Sequence, residues 1–287
     1  MAKSSRNIRW VFFGTPDFVI PALEALEKHG FAPALIVSAP DKPRGRKHEL
    51  SPTPVKAWGV ERGIDVVTPT TLKDEMFVAE LANTDWDFFL VAAYAKFLPK
   101  ALLDMPKHGS LNIHPSLLPK YRGPSPFLSA ILADDRQTGV SIMQMGEVMD
   151  AGPIVAQARV EIDEADWPLT GSVLSELLFT EGGNLLAEVL EPWIKGEITP
   201  ELQDESKATF TKKFTDSDAL VDISRQGLDE KLAREALLKI RAFDKNPRAH
   251  FFVNNKRIII TEAEIVEGKL ELLKVIPEGK KEVLYKG

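Results

Sequence analysis

Three residue types able to act together on a carbonyl group stand in two short stretches of the chain. Ser110–Pro126 reads S-L-N-I-H-P-S-L-L-P-K-Y-R-G-P-S-P and carries Asn112 and His114. Further on, Met149-Asp150-Ala151-Gly152-Pro153 follows the apolar run Val140–Met145. An asparagine amide can donate to a developing oxyanion, an imidazole can carry a proton, and a carboxylate can tune that imidazole. The alternation of apolar and polar residues predicts a strand end with Asn112 and His114 on one face. Prolines at 115, 119, 124 and 126 then forbid regular structure, so the polar pair stands where a strand opens into a rigid loop. Taken singly, His114 reads as a structural histidine and Asp150 as a turn residue. Their joint occurrence with Asn112 points instead to a site. The chain has no cysteine, and His108 and His114 have no third ligand in sight, so no metal is expected.

The elements that must position these residues follow from pattern. Ile8–Phe13 reads as a buried strand, turned by Gly14-Thr15-Pro16-Asp17 into a helix with Asp17 as its N-cap. Further strands are expected at Ala34–Ala39, Asp65–Val67 and Phe88–Ala93, with helices over Pro54–Gly63 and residues 73–82. Strands alternating with helices predict an α/β fold, a mostly parallel sheet of Rossmann-like type, with ligands at the carboxyl ends of its strands. The first turn, G-T-P-D-F, has neither G-x-G-x-x-G nor G-x-x-x-x-G-K-[ST] spacing, which disfavours NAD and ATP. Thr138–Met145 and Pro153–Ile162 read as a hairpin with Asp150 in the connection, and Thr170–Trp193 as a long helix broken at Pro192. Beyond a linker at 196–208, a helix at Leu228–Phe243 precedes short strands at Arg248–Val253, Arg257–Thr261, Lys269–Ile276 and Glu282–Tyr285. Only a brief turn is expected between Thr261 and Lys269. The expected division is 1–195, linker 196–208, and a small β unit at 209–287.

The motifs N-I-H-P-S-L-L-P, Y-R-G-P-S-P and M-Q-M-x-x-x-M-D-A-G-P-I resemble those of the folate-dependent formyltransferase family. F-F-G-T-P-D-F and P-D-K-P-R-G-R-K-H-E-L-S-P-T-P-V-K resemble the members of that family acting on methionyl-tRNA. The resemblance implies a Rossmann-like formyltransferase domain followed by a shortened OB-like β-barrel. It implies transfer of a formyl group from 10-formyltetrahydrofolate to the amino group of methionyl-initiator-tRNA through a tetrahedral intermediate. In this reading Asn112, His114 and Asp150 are catalytic. Ser116, Leu117, Leu118 and Pro119, with Val91 and Tyr94, hold the folate, and Lys42, Arg44, Arg46 and Lys47 meet the tRNA. Arg122 and Gly123 contact the acceptor, or Arg122 caps the helix starting near Pro124. Three other readings share these residues: a formyltransferase for an amino sugar nucleotide or other small amine, a hydrolase that deformylates the folate, and a non-catalytic RNA-binding relative.

Charge bears on the partner. The net charge is −6, yet residues 207–287 carry 17 Lys+Arg against 13 Asp+Glu while residues 1–206 carry 19 against 29. A basic tail unit on an acidic body is compatible with weak phosphate binding and equally with a solvated surface. The polar N-terminus and the lack of any bilayer-length apolar run lead to the expectation of a cytoplasmic protein with no membrane contact, and a monomer is expected.

Overall fold

The computed structural model describes residues 8–44, 49–223 and 229–286, without the side chains of Arg44 and Glu49. The chain divides into two compact units. One comprises Met1–Arg122, Gly139–Val160 and Ser175–Phe210, the other Gly123–Thr138, Glu161–Leu174 and Thr211–Gly287.

The first nine strands are β1 (Trp10–Gly14), β2 (Leu35–Val37), β3 (Lys42–Arg44), β4 (Glu49–Ser51), β5 (Asp65–Val67), β6 (Phe88–Ala92), β7 (Ser110–His114), β8 (Thr138–Gln144) and β9 (Ile154–Val160). Seven of them form one sheet in the order β5-β2-β1-β6-β7-β8-β9. Pairing is parallel from β5 to β7 and turns antiparallel at β8. The helices preceding the C-terminal region are α1 (Ile20–Lys28), α2 (Pro54–Glu61), α3 (Glu75–Ala82), α4 (Lys100–Leu103), α5 (Pro126–Leu132) and α6 (Gly171–Ile194). The fold class expected from the strand–helix alternation is the one observed.

Central strands β1 and β6 are buried along their whole length, as continuous apolar runs require when both faces are covered. Alternate residues feed two apolar layers. Trp10, Phe12, Phe88, Leu90, Leu111 and Ile113 pack with Phe179, Leu186 and Leu190 of α6. Val11, Phe13, Phe89 and Val91 pack on the other face with Leu98 and Leu102. Trp10 stacks on Phe88 at 5.2 Å between ring centroids. Each fully buried phenylalanine contributes about 2–3 kcal/mol relative to exposure.

Helix α6 can lie this close because of two glycines. A Cβ at Gly182 would come 2.5 Å from Ile113 Cγ2, and one at Gly183 would come 2.5 Å from the Ala22 carbonyl oxygen. The contact at Ile113 sets the depth of β7, the strand that carries Asn112 and His114.

In the second unit, α7 (Glu230–Ala242) is capped by Asp229, whose side chain accepts from the Lys231 N–H, and packs against α5. The last strands are β10 (His250–Val253), β11 (Lys256–Val266), β12 (Lys269–Pro277) and β13 (Val283–Leu284), an antiparallel sheet in that order. This four-stranded sheet is consistent with the small barrel expected for the C-terminal region.

Four local expectations are corrected. Asp17 does not cap a helix: it opens a short 3-10 turn, accepting from Phe18 N–H, while Val19 precedes α1. Prolines 16 and 21 impose that two-step entry. Pro192 lies inside α6, since a proline so near the C-terminus removes one ladder bond yet leaves helical φ available. Closure comes later, with Gly196 N–H donating to Trp193 O and Glu197 N–H to Pro192 O. The stretch after Thr261 is strand, because β11 continues to Val266 through a register shift between Ile260 and Glu262, and the turn narrows to Glu267-Gly268. The basic segment is not a bare loop either, since β3 and β4 pair with Lys42 opposite Ser51. Arg46 and Lys47 lie outside the described residues, as does the side chain of Arg44.

Gly183→Ala tests the close approach of α6. The helix-propensity gain of about 1 kcal/mol is outweighed by a collision with backbone, so unfolding free energy falls by about 1–3 kcal/mol in urea denaturation. Unchanged or raised stability would contradict that packing.

Candidate active site

Strand β7 projects Leu111 and Ile113 into the layer under α6 and turns Asn112 and His114 to the opposite face. Both are buried, at 9% and 4% exposure. Asn112 lies opposite Val91 on β6 and Met143 on β8, and His114 lies opposite Ser141. The pair therefore stands at the carboxyl end of β7, where the sheet changes from parallel to antiparallel pairing.

Hydrogen bonding defines the imidazole. His114 Nε2 is 3.0 Å from the Tyr121 carbonyl oxygen. A carbonyl only accepts, so Nε2 carries the hydrogen and Nδ1 of the neutral ring keeps its lone pair. That nitrogen lies 3.8 Å from Asp150 Oδ1, which is too far for a hydrogen bond and close enough for strong attraction once a proton arrives. Burial pushes the imidazole below its ordinary value, while the Asp150 carboxylate and the Tyr121 carbonyl pull it partly back. His114 is thus neutral near pH 7, with a basic nitrogen facing a carboxylate.

Asp150 reaches this place through a tight turn. Its φ is 51°, a left-handed conformation that aspartate tolerates better than most side chains. Ala151 N–H closes the turn on Val148 O. Gly152 lies so close to the Gln144 carbonyl that a side chain there would collide with it. Gln203 holds the turn from outside, its Nε2 donating to Asp150 O at 2.9 Å and to Gly152 O at 2.7 Å.

The loop after β7 is held by a polar set centred on buried Ser141. Ser141 Oγ donates to Ser116 O at 2.6 Å and accepts from Leu118 N–H at 3.1 Å. Gln157 Nε2 donates to Leu118 O and to Ser141 Oγ, both at 2.8 Å. Ser116 Oγ is turned inward onto Lys120 O, and Ser116 and Leu118 are buried, whereas Leu117 and Pro119 retain exposure. Val91 belongs to the apolar layer on the Asn112 side of the sheet. Tyr94 packs edge-on against Phe13 at 5.7 Å, and its buried hydroxyl has no hydrogen-bond partner among the described residues. Burial pushes that phenol up to about 12.

Arg122 is tied to residues distant in sequence. It is 2% exposed, and its guanidinium is spent on Gln203 Oε1 at 2.8–2.9 Å and on the Glu205 carboxylate at 2.8–2.9 Å. The structure therefore brings Asn112, His114 and Asp150 together and keeps Lys42 on a separate hairpin. It adds Tyr121, Ser141, Gln157 and Gln203, which sequence reasoning passed over. A glutamine in a polar linker and a backbone carbonyl carry no sequence signal of their own. Among the described residues no group of His, Asp and Glu is placed to hold a metal ion, and no helix is long and apolar enough to cross a membrane.

Comparison with known proteins places the chain in a family. The family model "Formyl transferase" matches residues 7–190. The methionyl-tRNA formyltransferase of Marinobacter nauticus is 38% identical over 260 residues, covering 91% of this chain and 81% of that protein. Among solved structures, a sugar N-formyltransferase from a Shewanella species superposes with a TM-score of 0.65 at 18% identity, covering 91% of this chain and all of the other. HypX from Aquifex aeolicus in complex with tetrahydrofolic acid gives 0.62 at 17% identity, over 97% of this chain and 46% of that one. The structural likenesses extend the shared fold, and the sequence match over most of both proteins goes further: the chain belongs to the formyl transferase family.

Proposed function

We propose that the protein transfers a formyl group from 10-formyltetrahydrofolate to the amino group of methionyl-initiator-tRNA. The observation that carries this is a buried, neutral His114 whose Nδ1 faces Asp150 at 3.8 Å, on the same strand face as Asn112. The sequence relative from Marinobacter nauticus, named for that acceptor, supports the choice of amine.

In the transfer the acceptor nitrogen bonds to the formyl carbon, and the formyl oxygen becomes an oxyanion beside the Asn112 amide N–H groups. His114 Nδ1 takes the proton lost by the amine, and the imidazolium so formed is stabilised by the Asp150 carboxylate. The Nδ1–H then donates toward the oxyanion and passes its proton to the departing folate nitrogen as the carbon–nitrogen bond breaks. His114 returns to neutral. Leu117 and Pro119, which are partly exposed, offer the apolar part of the folate wall, and Val91 and Tyr94 add to the same pocket. Ser116 and Leu118 act through their backbone groups. The HypX structure with tetrahydrofolic acid supports a folate ligand on this fold.

Residues 1–195 carry the chemistry in this reading, and 209–287, joined through the linker 196–208, meet the RNA. Lys42, Arg44, Arg46 and Lys47 form a basic run in the sequence suited to phosphates. The enzyme works as a cytoplasmic monomer.

The test is formyl transfer from 10-formyltetrahydrofolate to methionyl-tRNA by purified protein. His114→Ala lowers kcat by about 10²–10⁴ and Asn112→Ala by about 10²–10³. Transfer to an amino sugar nucleotide and none to methionyl-tRNA would overturn the acceptor. The pH profile provides a second check. Protonation of His114 removes the base, so kcat falls on the acid side. Because Asp150 raises the His114 pKa, Asp150→Asn moves that acid limb to lower pH as well as reducing the plateau. A limb that stays put would disconnect Asp150 from the histidine.

A further inference from the structure

The contacts around His114 form a closed circuit. Its Nε2–H donates to Tyr121 O, and Tyr121 is bonded to Arg122. The Arg122 guanidinium donates to Gln203 Oε1 at 2.8–2.9 Å, and Gln203 Nε2 donates to the carbonyls of Asp150 and Gly152. Asp150 Oδ1 closes the circuit at His114 Nδ1. We propose that Gln203, anchored by buried Arg122, is a positioning residue that holds the Asp150 carboxylate against the His114 imidazole.

Each link constrains the next. Arg122 is fixed at its backbone, where its N–H donates to Thr209 O at 2.9 Å, and at its side chain by the Glu205 carboxylate. The planar guanidinium presents two N–H groups to one oxygen of Gln203, which sets the amide plane. That orientation directs the glutamine's N–H groups at both carbonyls of the turn. Within the turn, Asp150 stands at φ 51° and the closing bond from Ala151 to Val148 is long, at 3.4 Å. The imidazole is held by the same arginine from the other side, through the neighbouring carbonyl. A shift of Arg122 would move both members of the pair, and a loss at Gln203 would release the carboxylate alone.

This inference rests on the formyl-transfer reading for its activity readout, and a second readout stands apart from it. Gln203→Glu keeps acceptors for Arg122 and removes both donors to the turn, so it isolates the proposed link. The expected result is a kcat about 10–100-fold below wild type with the KM values for methionyl-tRNA and 10-formyltetrahydrofolate within about twofold. In the same protein the His114 ring, followed by NMR of ¹⁵N-labelled histidine and assigned with His114→Ala, titrates at lower pH than in wild type because the carboxylate has moved away. Gln203→Met, which lacks the added charge, shows the same two changes. If Gln203→Glu does not fold, Gln203→Met carries the test. Wild-type kcat and an unmoved His114 titration in a folded variant would overturn the proposal. Wild-type protein that transfers no formyl group would overturn the functional reading instead, with the histidine titration still deciding the role of Gln203.

Discussion

The arrangement depends on one commitment: His114 gives its Nε2–H to a backbone carbonyl inside the protein. A buried neutral imidazole has a single hydrogen to donate, so that bond decides which nitrogen is basic. It directs the lone pair of Nδ1 toward Asp150. Burial keeps the ring neutral in the resting state, and the carboxylate makes the protonated state accessible when chemistry demands it. Two opposing influences on one group produce a base that is free at neutral pH and still able to hold a proton briefly.

The rest of the structure can be understood as what keeps that geometry in register. The strand that carries His114 and Asn112 is seated by apolar side chains on its reverse face, and the glycine at 182 allows α6 to come down on Ile113. On the functional face the loop after β7 is tied by Ser141 and Gln157, so Tyr121 arrives at a defined distance from the ring. The left-handed turn at Asp150 and the close approach at Gly152 bring the acid to the same place from β8. None of these contacts touches a reacting atom. Their combined effect is preorganisation, which at such sites is worth more than any single hydrogen bond.

Much of this was legible in the chain because it rests on short-range pattern. Alternation placed Asn112 and His114 on one face, and the prolines after them marked the loop. The apolar run at 88–92 announced a central strand. Strand–helix alternation gave the α/β sheet, and motif resemblance supplied the small C-terminal barrel and the role of Asp150. What the sequence did not disclose depends on distant partners. Gln203 sits in a polar linker that reads as featureless until the fold brings it to the turn. Arg122 reads as a substrate contact because nothing nearby in sequence reveals the Glu205 carboxylate and the Gln203 amide oxygen that its buried guanidinium meets. Pro192 and the extension of β11 past Thr261 show local propensity yielding to context, at a helix end where one lost bond is tolerated and in a strand whose register shift absorbs the irregularity.

The central claim concerns the protonation state of one ring, and ¹⁵N NMR of the histidines at neutral pH measures it directly. The account predicts that His114 is neutral, with the hydrogen on Nε2 and a lone pair on Nδ1. An imidazole carrying its hydrogen on Nδ1, or a fully charged ring, would contradict it, because the base facing Asp150 would then be absent from the resting protein.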